Sequence, residues 1–128
     1  MFDNGKVKVS VLDGIPLIEV HYSGELELRD VAWINHVILH ELTPTPKLPF
    51  DIIIDRKGNY SLSVEALMHM AELMKDANRV AYIVYSSTQV KMVKLASNLY
   101  LSGKQVSYFH STSEAHAWLK GYPAAAVA

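Results

Sequence analysis

The chain has 128 residues, of which half are apolar and a fifth charged, a composition within the range of one globular domain large enough to bury a core. Its net charge of −1 and pI near 6.6 leave no basic excess from which to build a nucleic-acid footprint or a polybasic membrane patch. Without cysteine it has no disulfide framework, thiol nucleophile or Cys-based metal site. The opening MFDNGKVKVS lacks the basic-then-apolar order of a signal peptide, and no apolar run approaches the ~20 residues of a membrane span, so a cytoplasmic location is expected.

Val7, Val9 and Val11 alternate with polar residues, Asp13-Gly14 makes a turn, and Leu17, Ile18, Val20 and Tyr22 resume the strand pattern, which predicts an antiparallel hairpin. From about Arg29 the period becomes helical. Val31, Ile34, Ile38 and Leu42 form one stripe with Asp30 in the first turn, and the helix stops where Thr43 meets Pro44. TPTPKLP is a loop, and FDIII is a β-branched run suited to a buried central strand ending at Asp55. RKGNYS reads as a turn. Ser63 then caps a helix running to about Ala77 with Leu67, Met70, Ala71 and Met74 inward. VAYIVYSS is another buried strand, and Ser87 or Thr88 caps a third helix. That helix points Met92, Val93, Ala96, Leu99 and Tyr100 inward and stops at Gly103. QVSYF is the last strand. Ser111 followed by Glu114 is a capping box, opening a helix whose stripe is Ala115, Trp118, Leu119 and Tyr122, with His116 outward.

Strands alternating with helices imply parallel, right-handed βαβ units, and the order is ββαβαβαβα: an α/β fold with a mixed, mostly parallel sheet flanked by helices. Closed by an aromatic strand and the helix SEAHAWLKG, this order resembles the STAS / SpoIIAA-like family, specifically its small bacterial members that end in a phenylalanine, a turn and an Ala-Trp-Leu helix. Phe109, Glu114, Ala115, Ala117, Trp118 and Leu119 carry the likeness. A single SpoIIAA-like domain over residues 1–122 with a short apolar tail, 123–128, is expected. The resemblance implies a non-catalytic binding or regulatory role. Relatives include anti-sigma-factor antagonists and anion-transporter regulatory domains, and the related CRAL-TRIO lipid-transfer fold points to hydrophobic ligands. The antagonist branch is switched by phosphorylation of a serine in an Asp-Ser-Ser-Gly turn. This chain reads Asp55-Arg56-Lys57-Gly58 instead, with Arg56 at the serine's position, and Ser61 and Ser63 are the nearby hydroxyls for a displaced phospho-switch.

No nucleophile elbow, phosphate loop or dinucleotide fingerprint is present, so no catalytic set and no cofactor are expected. His36 and His40 have the i, i+4 spacing of a helical zinc pair, yet no Glu follows His36 and no third ligand is evident, so they read as a solvated face and no metal is expected. In parallel sheets ligands meet the carboxyl ends of the strands, where helix N-termini present unpaired N–H groups. Asp55, Arg56, Lys57, Ser86, Ser87, Thr88 and His110 are therefore the candidate binding residues for a small anionic or lipid-like ligand, with Lys91 nearby and Met68, Met70 and Met74 as an adaptable wall. The competing expectation is a protein partner or homodimer, docking on apolar residues off the main helical stripes: Trp33, Val37, Leu39, Val90, Leu95 and Leu101.

Overall fold

The structure, a computed structural model, describes residues 1–121; Tyr122 and the tail 123–128 lie outside the described residues. Strands β2 (Val7–Leu12) and β3 (Ile15–Val20) form the expected hairpin, with Leu12 opposite Ile15. Asp13 and Gly14, at φ of 53° and 82°, supply the left-handed pair that matches strand twist in a two-residue turn. A short β1 (Phe2–Asp3) pairs with β2 on its outer edge. On the other side β3 pairs in parallel with β5 (Phe50–Asp55), followed by β7 (Ala77–Ile83) and β8 (Gln105–Phe109), for a six-stranded sheet in the order β1-β2-β3-β5-β7-β8.

The parallel strands advance in one direction across the sheet, so right-handed crossovers must all pass over the same face. Helices α1 (Leu28–His36), α2 (Val64–Met74) and α3 (Ser87–Leu99) accordingly share one core with Ile52, Ile54, Val80 and Tyr82. The alternate residues Ile53, Ala81 and Ile83 point to the opposite face, where α4 (Thr112–Leu119) covers them with Ala115 and Leu119. A second, two-stranded parallel sheet pairs β4 (Gly24–Leu26) with β6 (Tyr60–Leu62) beyond the end of β5. It takes its last three residues from what the sequence presents as a turn and a helix approach. Three-residue strands are too short to show alternation.

Several helix details depart from the periodic reading. Val31, Ile34, Ile38 and Leu42 are buried as expected, but a π-helical turn at Val37–Glu41 follows α1, and its wider winding turns Val37 into the core as well. Helix α2 ends at Met74, because Ala77 already belongs to β7, and it buries Ala66 and Leu73 more fully than Leu67 and Ala71. The cap of α3 is Ser86, whose extended backbone precedes the first turn and whose hydroxyl accepts from the Gln89 N–H; Ser87 is already helical. Leu99 is 61% exposed and Leu101 only 1%, the reverse of expectation, since the helix stops at Leu99 and Tyr100 turns the chain back into the core. Ser111 caps α4 by accepting from the Glu114 N–H at 3.2 Å. The Glu114 carboxylate is held by the Ser111 hydroxyl at 3.1 Å, in place of the expected reach to the backbone N–H. His116 is half-buried, with Nε2 3.3 Å from the Asp13 carboxylate, so α4 is tied to the hairpin turn.

Candidate functional site

The carboxyl end of β5 sends successive side chains to opposite faces, and this alternation divides the sequence-predicted cluster in two. Asp55 faces the α4 side, where the Tyr85 hydroxyl donates to its carboxylate at 2.8 Å. Burial raises the Asp55 pKa, an effect the Tyr85 hydrogen bond and the nearby Lys57 charge only partly offset. Lys57 is exposed and pairs with Glu19 at 3.0 Å, with His21 beside Glu19 at 3.6 Å.

Arg56 turns the other way, under the α1–α3 layer, and is only 5% exposed. Its backbone is pinned: its N–H donates to the Ile83 carbonyl, and its own carbonyl accepts from Gln89 Nε2 at 2.9 Å. The guanidinium lies over the Tyr60 ring, 4.2 Å from the centroid, and Nη2 donates to the Tyr60 carbonyl at 2.9 Å. Nε is buried without a hydrogen-bond partner, and among the described residues no carboxylate pairs with this group. Arginine is almost never buried unpaired, because removing its charge from water is costly.

Arg56 borders two adjoining spaces. One is an apolar cavity of about 190 Å³ between α2, α3 and the sheet, whose walls include Ile54, Met70, Tyr82, Met92 and Leu95. The other is an open cleft of about 530 Å³ at the N-terminus of α3, bordered by Glu25, Asn59, Ser86 and Thr88. Arg56, Tyr60, Ser61 and Met92 belong to both. Burial pushes the Tyr60 phenol up to about 12 and raises Tyr82 and Tyr100, whose hydroxyls lie 3.4 Å apart, so these groups stay neutral around physiological pH.

Of the sequence-predicted residues, Arg56, Ser86 and Thr88 therefore meet at one cleft. Asp55 and Lys57 lie across the sheet, and Ser87 and His110 are exposed and border neither space. Ser63 spends its hydroxyl capping α2 at Ala66, whereas Ser61 is exposed at the junction of cavity and cleft. Among the three methionines expected as a wall, Met70 lines the cavity, Met74 is core and Met68 is 67% exposed. His36 and His40 have ring centroids 5.2 Å apart, and His36 sits against Glu41 at 3.1 Å. Among the described residues no group of three potential ligands gathers for a metal.

Sequence reasoning missed Gln89 and the tyrosines 60, 82 and 100. Gln89 is buried in the first turn of α3; its Oε1 accepts from the Tyr85 N–H at 2.7 Å, and its Nε2 donates to the Arg56 carbonyl and to Asn59 Oδ1. It ties the loop after β5 to the loop after β7. The available signal was its position four residues before the inward Val93, which puts a polar residue on the apolar face.

A mixed, mostly parallel sheet with three crossover helices on one face, a closing helix on the other and an open cleft at the strand ends defines the architecture. A protein-family model described as SpoIIAA-like matches residues 17–120, and the chain belongs to the SpoIIAA-like family. Its fold is similar to that of an uncharacterized protein with a SpoIIAA-like fold from Shewanella loihica PV-4, at 17% identity over 88% of this chain and 91% of that one, with a TM-score of 0.61. It is also similar to the anti-sigma factor antagonist SpoIIAA in its unphosphorylated form, at 16% identity over 90% of this chain and 98% of that one, with a TM-score of 0.59. No curated protein sequence matches the chain. Among the described residues no helix is long and apolar enough to cross a membrane.

Proposed function

We propose that this SpoIIAA-like domain is a non-catalytic binding protein of the cytoplasm that takes a small anionic, lipid-like ligand at the carboxyl ends of β5 and β7. The observation that carries this reading is Arg56: a buried guanidinium that no carboxylate pairs among the described residues, where an apolar cavity adjoins an open cleft. An amphipathic anion matches both spaces at once, with its head at Arg56 and the positive end of α3, and its body among Ile54, Met70 and Met92. Two of the polar groups nearby are engaged in structural work, Ser86 as a cap and Gln89 as a clamp, which favours holding over reacting. Native mass spectrometry of freshly purified protein, followed by thermal shift with an amphiphile panel, tests this. A co-purified amphiphile or a clear stabilisation is expected; an empty protein indifferent to the whole panel overturns it.

The second reading is a protein-interaction surface. It rests on Met68, Leu95 and Leu99, which are 67%, 51% and 61% exposed on α2 and α3, and on the fold shared with an anti-sigma factor antagonist. Sedimentation velocity that shows a concentration-dependent dimer, abolished by Leu95→Glu, supports a homodimer, and a monomer at all concentrations rejects that form of it. Any phospho-switch would act on Ser61, whose hydroxyl is exposed, before Ser63, whose hydroxyl is occupied. Intact-mass analysis after kinase treatment checks it, and a chain that stays unmodified excludes it.

A further inference from the structure

Resting on the ligand-binding reading, we infer that the ligand is a monocarboxylate, with an apolar body the size of one six-membered ring or a chain of roughly six to eight carbons. Charge decides the head. Arg56 and Glu25 are the two ionisable side chains of opposite sign that border the spaces, and among the described residues no lysine lines either one, because Lys57 is turned to the other face and paired with Glu19. A single guanidinium, already sharing Nη2 with the Tyr60 carbonyl and bordering the same cleft as Glu25, neutralises one negative charge. A phosphate monoester, near two negative charges at neutral pH, would leave one uncompensated in a site that Glu25 makes less welcoming.

Volume decides the body. An apolar cavity of about 150 Å³ accommodates benzene. The cavity beside Arg56 measures about 190 Å³, which adds room for a short linker between ring and head. Arg56 is also held in place before any ligand arrives, by the Tyr60 ring and by the two backbone hydrogen bonds on its own N–H and carbonyl. The entropy cost of ordering it is therefore small, and a planar guanidinium presents the fork that a carboxylate matches. The neutral phenols of Tyr82 and Tyr100 add polar contact at the cavity wall without adding charge.

The test compares octanoate, 4-phenylbutyrate, octanamide and octyl phosphate by titration calorimetry and by chemical-shift changes in amide NMR spectra of the full chain. Octanoate and phenylbutyrate are expected to bind at least about tenfold more tightly than octanamide and octyl phosphate, as one charge-assisted contact implies. Arg56→Met should erase the advantage of octanoate over octanamide. Ala96→Phe, which fills the cavity and leaves Arg56 in place, should abolish binding of all four. If Arg56→Met does not fold, the head-group comparison on the native chain together with Ala96→Phe decides the matter. Equal affinity for octanoate and octanamide, or preference for octyl phosphate, overturns the carboxylate assignment while ligand binding itself stands. No binding of any probe, or binding insensitive to Ala96→Phe, overturns both.

Discussion

Gln89→Ala removes the clamp between the loops that follow β5 and β7. Three hydrogen bonds are lost: from the Tyr85 N–H at 2.7 Å, to the Arg56 carbonyl at 2.9 Å and to Asn59 Oδ1 at 3.0 Å. The Tyr85 and Asn59 partners lie where water can reach them, so each costs about 1 kcal/mol. The Arg56 carbonyl is buried and would be left unsatisfied, at about 2 kcal/mol. Alanine recovers a few tenths through helix propensity, for a net loss of about 3 to 4 kcal/mol. For a chain of this length each kcal/mol lowers Tm by about 4 °C, so a fall of about 12 to 16 °C is expected. Urea denaturation should show the same loss with an unchanged m-value. Gln89→Glu gives a sharper signature. It keeps the acceptor for Tyr85 but sets a carboxylate against two acceptors, so its folded-state pKa rises and its stability deficit shrinks as pH is lowered. A loss below about 1 kcal/mol for Gln89→Ala, or a Gln89→Glu deficit independent of pH, would refute the clamp.

Three further outcomes follow from the same structure. At Gly58 an added Cβ would stand 2.2 Å from the Tyr22 carbonyl oxygen, so Gly58→Ala should destabilise by about 3 kcal/mol in urea titrations, since the obstacle is backbone that cannot rotate away. Asp55 has a folded-state pKa raised above its ordinary 3.8, so its burial costs stability above that folded value, and the cost vanishes below 3.8. Asp55→Asn, which still accepts from Tyr85, should therefore be more stable than the parent at pH 7, with the gap closing as urea midpoints are measured toward pH 3.8. Arg79 pairs with Asp51 at 2.9 Å and donates to the Trp118 and Leu119 carbonyls at the end of α4; Arg79→Met should cost about 2 kcal/mol and red-shift the fluorescence as Trp118 gains water.

Where a residue's local pattern and its tertiary surroundings agree, the sequence was legible. The Val31, Ile34, Ile38 and Leu42 stripe, the Asp13-Gly14 turn and the Ser111 cap each follow from interactions within a few residues, and each is present. The cleft lies where the strand order pointed, at the ends of β5 and β7, but which of the named residues border it was less legible. Asp55, Arg56 and Lys57 are consecutive and look like one charged cluster, yet the pleat of β5 distributes them to two faces. Leu99 and Leu101 exchanged roles because the end of α3 is set by how the chain must return to β8.

The sequence by itself determined the alternation of strands and helices, the family likeness in the last helix and the absence of thiol chemistry, because periodicity, caps and composition are local. Only the tertiary structure decided that Arg56 is buried with no carboxylate partner among the described residues, that Tyr60 lies against it, that Gln89 holds its carbonyl, and that a cavity opens beside it. Those relations join residues up to tens of positions apart across the crossovers of a parallel sheet, and no local pattern encodes which face of a strand each will share.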